Sequence, residues 1–156
     1  MEKMVTMSFN SVQAGVIRTL TTHADYSSSN VFADDFRGLG AGNVRYVAIS
    51  LGGVNNEDIT FRQVQTNWTV NLDVYTMRTG ELATAVDNAQ INMQNIIDTL
   101  NQYPFLNDST GVIDHNISTV SPVELMDPGS GSRNAFLHQQ LGLSVTEICT
   151  ITRAEG

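Results

Sequence analysis

The stretch Thr66–Pro104, TNWTVNLDVYTMRTGELATAVDNAQINMQNIIDTLNQYP, decides the fold class. In its first part Trp68, Val70, Leu72 and Val74 alternate with Thr69, Asn71, Asp73 and Tyr75. A period of two predicts a strand with an apolar row on one face and a mostly polar row on the other. Arg78-Thr79-Gly80-Glu81 reads as a tight turn. Leu82, Val86, Ala89, Met93, Ile96, Ile97 and Leu100 then recur at helical spacing, which predicts a long helix with one apolar face. Pro104 closes it, because the residue before a proline is pushed out of the helical region. A strand and a helix with one greasy side each are buried together when the helix lies across the sheet.

Outward from that unit, Phe9, Val12, Val16, Ile17 and Leu20 predict a first helix, with Ser8 as its N-cap. Residues 23–42 read as a long loop, with Val31 and Phe32 tacked onto the core. Val44–Leu51 reads as a strand and Gly52-Gly53-Val54-Asn55-Asn56 as a turn. A second extended run from Ile59 through Thr76 completes an antiparallel hairpin. That run is long for one flat strand, so a bulge is expected near Gln65–Asn67. After the long helix come a polar connection at 103–110, a strand at Gly111–Val120, a loop at 121–134, and a last extended run at Ala135–Ile151 that Gly142 interrupts. The expected fold is a single α+β domain over 1–156 in the order α-β-β-α-β-β. Its sheet, mainly antiparallel or mixed, has about four strands, with the helices packed on one face. Residues 1–7 and 152–156 are expected to be loose.

The chain has 156 residues, a formal charge of −8, and Lys3 as its only lysine. That length suits one domain with a real core. An acidic, lysine-poor surface is repelled by phosphates and gains no counterion-release energy on nucleic acid. Gripping DNA is disfavoured; letting DNA pass is not. Met1-Glu2-Lys3 leads into no apolar segment of the signal-peptide kind. No run reaches the roughly 20 apolar residues of a membrane helix. A cytoplasmic site of synthesis and no membrane partner are expected.

Residues able to carry chemistry are present but scattered. Cys149 is the only cysteine, so no internal disulfide is available, and its apolar surroundings read as a small buried residue rather than a reactive thiol. His23, His115 and His138 pair with no ligand at metal-binding spacing. Asp34-Asp35 and Glu57-Asp58 are adjacent carboxylates in loops or turns, which reads as solvated charge before acid–base work or calcium binding. Gly38-Leu39-Gly40-Ala41-Gly42 precedes a strand, whereas a phosphate cradle follows a strand and opens a helix. Gly129-Ser130-Gly131-Ser132 lacks the strand–elbow–helix context of a nucleophilic serine. The sequons at Asn67, Asn107 and Asn116 stand without a secretory signal. Trp68 reads as a core residue first and an interface anchor second. No catalytic, cofactor-binding or metal residues are nominated; interface residues are left unassigned.

Four stretches together resemble the tail terminator (tail completion) proteins of long-tailed bacteriophages. They are Ala24–Val31 with Asp35–Leu39; Val44–Ile49 leading into a glycine turn; Thr66–Tyr75 with Arg78–Glu81 and the long helix; and Ile96–Leu100 with Tyr103-Pro104 and Leu106-Asn107. The match spans most of the chain and loosens from Ser121 on. The resemblance implies an α+β virion protein that forms a ring, usually a hexamer, at the head-proximal end of the tail tube. Such a ring stops tube polymerisation and presents a surface to the head–tail connector protein, and DNA passes through it without sequence-specific binding. It implies no cofactor and no catalytic residue. Its partners would be further copies of itself, the tail tube protein and the connector, assembled in the host cytoplasm into the virion. Two other classes stay open: another neck or tail component, such as a head–tail joining protein or a tube subunit, and a small cytoplasmic enzyme or ligand-binding domain using a cleft beside the long helix.

Overall fold

The structure, a computed structural model, describes residues 9–33, 44–78, 80–107, 111–126 and 136–150. Its elements run α1 (Phe9–Leu20), β1 (Val31–Ala33), β2 (Arg45–Thr60), β3 (Gln63–Met77), α2 (Leu82–Gln102), β4 (Val112–Val120), β5 (Glu124–Met126) and β6 (Phe136–Thr150). They form a mixed α/β architecture with one six-stranded, mostly antiparallel sheet in the order β1-β2-β3-β6-β4, with β5 also on β6. The expected α-β-β-α-β-β order holds for the long elements. The count of about four strands falls short by two, because β1 and β5 are three residues each and exist through their pairing: β1 with β2 in parallel, β5 with β6. Both lie inside stretches read from sequence as loops, 23–42 and 121–134. The expectations for Ser8, 1–7, Asp34-Asp35, the glycines at 38–42, the serines at 130–132 and 152–156 lie outside the described residues.

The two helices share one sheet face. Val12, Val16 and Leu20 of α1 and Met93, Ile96 and Leu100 of α2 join Val47 and Ile49, Val70, Leu72 and Val74, and Leu141, Leu143 and Val145 in one buried core. Odd positions of β6, even positions of β3 and odd positions of β2 up to Leu51 point the same way, as the registers require; past the shift at Leu51/Gly53 the parity of β2 flips and Val54 stands opposite Trp68. Leu106, fully buried, joins this core from the connection after α2, where it and Asn107 adopt left-handed backbone at φ 50° and 54°. The opposite face is not uniformly polar. Its inner half carries a second cluster of Tyr46, Tyr75 and Phe136 with Phe32 and Met77 at its margin, and only its outer half shows the Thr69–Asn71 polarity.

Two breaks expected from glycine do not occur. Gly52-Gly53 is no turn: β2 runs on to Thr60, with a register shift between Leu51 and Gly53, and the chain reverses after Thr60, before Gln63. A β-carbon on Gly52 would lie 2.9 Å from the Asn71 side chain, so this glycine serves a close approach within a bulge rather than a reversal. The bulge expected in β3 near Gln65–Asn67 therefore sits on β2, and β3 pairs without a break with β6 from Gln63 to Met77. Gly142 likewise lies within an uninterrupted β6; its missing side chain leaves room for Thr119 Oγ1, which a β-carbon would meet at 2.6 Å.

Ile96 is fully buried at the helix–sheet contact. Ile96→Ala is expected to cost about 2–5 kcal/mol through lost burial and a residual cavity, measured as the urea midpoint shift at constant m-value.

Candidate functional site

The candidate site is a surface formed where the strands outrun the helices. β6 has 15 residues and β3 the same, about 50 Å of strand at ~3.3 Å per residue. α2 has 21 residues, about 31 Å of helix at 1.5 Å per residue. Even laid fully along the strands, α2 leaves a stretch of sheet uncovered. The exposed stretch is the outer half of β2, an arm ending at Phe61, whereas Thr66 of β3 and Val145, Glu147 and Cys149 of β6 beside it stay buried. Phe61 is 61%, Val54 52%, Ile59 45% and Leu51 44% exposed, so the arm shows apolar side chains that the core does not claim. Scattered exposed apolar residues are ordinary, but four along one hairpin mark a contact surface. Glu57 and Asp58 stand beside them on β2 as exposed charge.

The base of the arm is fixed by a buried polar contact. Trp68 Nε1 donates to Glu147 Oε1 at 2.9 Å, and Glu147 is fully buried. Phe9 of α1 packs on the Trp68 ring with centroids 6.0 Å apart. Trp68 is thus a half-buried core residue holding a polar handle. Burying a carboxylate is costly unless it is hydrogen-bonded, so this contact sets which strands must be in register before the arm can form.

On the opposite face, Asp73 Oδ1 accepts from His138 Nε2 at 2.8 Å and from Gln140 Nε2 at 3.2 Å. The Tyr75 ring lies 4.9 Å from the His138 ring. An Asp–His pair can orient a general base, but among the described residues no hydroxyl or thiol hydrogen-bonds to His138. The other histidines are held by backbone contacts: His23 Nδ1 accepts from the Asp25 N–H at 3.1 Å, and His115 Nε2 lies 2.8 Å from the Tyr103 carbonyl oxygen. Cys149 is free and buried. No group of three or more His, Cys, Asp and Glu that could hold a metal forms among the described residues, and no described helix is long and apolar enough to cross a membrane.

Two open depressions flank α2. One, about 270 Å³, is lined by Asp25, Arg45, Thr76, Asn88 and Asn92 among others; there Arg45 pairs with Asp25 at 3.2 Å. The other, about 470 Å³, is lined by His23, Asn95, Asp98, Thr99, Gln102 and Tyr103 among others. Both are polar and lie against the helix where a ligand cleft was an open alternative. In the second, His23 shares the wall with the Thr22 and Thr99 hydroxyls, but each is held by backbone: His23 Nδ1 accepts from the Asp25 N–H, and the two hydroxyls donate to the Thr19 and Asn95 carbonyls. Sequence reading nominated no site residue. It missed Glu147–Trp68 and Asp73–His138 because their members lie 79 and 65 positions apart. An acidic residue inside the apolar run Leu143–Cys149 was the one local sign that Glu147 needed a partner.

Comparison with family models and with curated proteins finds no match. Among solved structures with a likeness to this chain, one aligns over 90% of this chain and 96% of its own length at 16% identity and a TM-score of 0.44, a likeness that identifies neither a family nor an activity.

Trp68→Phe keeps the ring's packing but removes the donor to buried Glu147, and is expected to cost about 1–3 kcal/mol. Equilibrium urea unfolding measures it; an unchanged midpoint would mean that water replaces the indole N–H. Burial also raises two tyrosine hydroxyls: Tyr26 well above its usual value, with Arg45 opposing and Asp25 adding slightly, and Tyr75 to about 12, with Asp73 adding. An unfolded tyrosine ionises near pH 10. Above that pH the unfolded chain holds fewer protons than the native one, so stability falls as pH rises. The Tyr26 hydroxyl is buried without a hydrogen-bond partner. Tyr26→Phe is therefore expected to leave stability at pH 7 unchanged or slightly raised and to flatten the loss between pH 10 and 12, read from thermal melts across that range.

Proposed function

We propose that this chain is a structural protein of a tailed-phage virion, a ring at the head-proximal end of the tail tube that ends tube growth and joins the tail to the head connector. The arm supports this reading: Leu51, Val54, Ile59 and Phe61, four of the exposed large apolar residues among the described ones, follow one another along the outer half of β2 and its turn, where a neighbouring protein can cover them. The four sequence stretches that resemble tail terminator proteins support it, as does the acidic composition. An acidic ring lets DNA slide past by like-charge repulsion instead of holding it.

The reading separates from its nearest rivals by behaviour on tubes. Added to purified tail tubes with free tube subunit, the protein is expected to bind one tube end, stop elongation and appear there as a ring in negative-stain micrographs. Particles assembled without it are expected to give overlong tails without heads. A protein that polymerises into long tubes by itself would instead be a tube subunit. A strict monomer that ignores tube ends would rule the proposal out.

A further inference from the structure

Among the described residues the outer half of β2 and the whole of β4 are open edges of one sheet, and we propose that they pair with each other between neighbouring copies, β4 of one copy against β2 of the next, so that the ring is closed by a continuous intermolecular sheet. This deepens the ring reading and rests on it.

Three observations lead there. The first is strand direction. β2, β3, β6 and β4 alternate without exception, and the path between the two open edges holds an even number of strands. A copy placed beside the first in the same orientation therefore sets β4 antiparallel to the next β2, the geometry in which direct ladders form. With an odd number the same placement would demand a parallel pair.

The second is height. β1 occupies the β2 edge only at Val47–Ile49, and among the described residues no strand pairs with the outer side of 50–60. Carried across the sheet through β6 and β3, Ile117 stands level with Leu51, Asn116 with Gly53, His115 with Val54 and Asp114 with Asn55. The free part of β2 and the free edge of β4 thus face outward at the same level from opposite sides of the molecule. The irregularities of β4 fall between Val112 and Asp114 and between Ile117 and Thr119, and those of β2 between Leu51 and Gly53 and between Asp58 and Thr60. The regular stretches between them coincide at Asp114–Asn116 and Gly53–Asn55.

The third is the composition of the edges. Neither 50–60 nor 112–120 contains a lysine or a proline, the residues that commonly keep an edge from pairing. In the level register no acid faces an acid: Asp114 stands opposite Asn55, while Glu57 and Asp58 lie beyond the start of β4. Ile117 would sit beside Leu51 on the face that the helices cover. A head-to-tail contact of this kind generates a ring when its rotation closes, and sheet twist supplies a rotation at every strand step.

The test uses cysteine pairs. A β-carbon at Gly53 has nothing within 4 Å and Asn116 is exposed, so Gly53→Cys and Asn116→Cys both leave the fold intact, checked by circular dichroism and melting temperature. Residues directly opposite in an antiparallel ladder have Cα atoms about 4.5–5.5 Å apart, within disulfide range. Oxidised in the presence of tail tubes, the chain with both substitutions is expected to give a ladder of covalent oligomers on non-reducing gels. Each single variant is expected to stay monomeric there, and a mixture of the two to stop at dimers. Covalent dimers from Gly53→Cys alone would show symmetric β2–β2 contact and overturn the proposal. Rings seen by microscopy that fail to cross-link would overturn the edge pairing and leave the ring reading standing. No rings with or without tubes would remove both.

Discussion

The unbroken pairing of β3 with β6 is the constraint on which the rest of the molecule depends. Fifteen residue pairs tie Gln63–Met77 to Phe136–Thr150, bringing together segments far apart in sequence. β2 and β4 attach to the outer sides of this pair, and both helices find their apolar partners on one of its faces. Such non-local pairing forms only after a large loop-closure cost. It must therefore be secured by side chains as well as backbone, and the rows Leu72/Leu141, Val70/Leu143 and Trp68/Val145 supply apolar contact at successive steps.

The same pairing explains why the molecule has an arm. Strands of this length outrun the described helices, so the outer half of β2 is left exposed, while the core on the helix face continues past Trp68 along β6 to Val145, Glu147 and Cys149. Glu147 and Trp68 sit at the boundary. A carboxylate there is a poor choice for stability alone, because an apolar residue would be buried at lower cost. It does penalise misregister: a slip of one position turns Glu147 to the other face and separates it from the indole N–H. Val145 and Cys149, buried on the same face of β6, resist the same slip.

Much of this was legible in the sequence, and the failures have a common cause. Both long helices announce themselves by period, and so do the inner halves of β2, β3 and β6, because their periodicity reflects burial against a neighbour. Gly52-Gly53 misled because the local chemistry of a glycine pair is the same in a turn and in a bulge. What decides between them is the Asn71 side chain pressed against Gly52, a contact from another strand. β1 and β5 are too short for any period and take their form from the strand beside them. The alternation in β3 was read as one apolar and one polar face, yet Tyr75 meets Tyr46 and Phe136; a tyrosine in a polar row does not declare whether its ring is covered. The outer half of β2 has little periodicity because no described element covers it, and a strand without a buried face leaves no alternation in a sequence.

An open edge is a hazard as well as a device, and the bulges bear on both. A long flat edge would join any strand it met. Here irregularities on β2 and β4 confine the regular matching stretch to a few residues, so a single contact between two copies contributes only a short ladder. One such ladder is weak against the freedom lost on association. In a closed ring each copy makes the contact twice, and the last contact closes within an assembly whose geometry already holds the two edges together, at an effective concentration no free encounter reaches. Short edges in an acidic, self-repelling chain thus favour a population of free molecules and complete rings over open chains of intermediate length. For the proposed ring, a template that gathers copies at one place, as a tube end would, would lower the cost of the first contacts and decide where the ring forms.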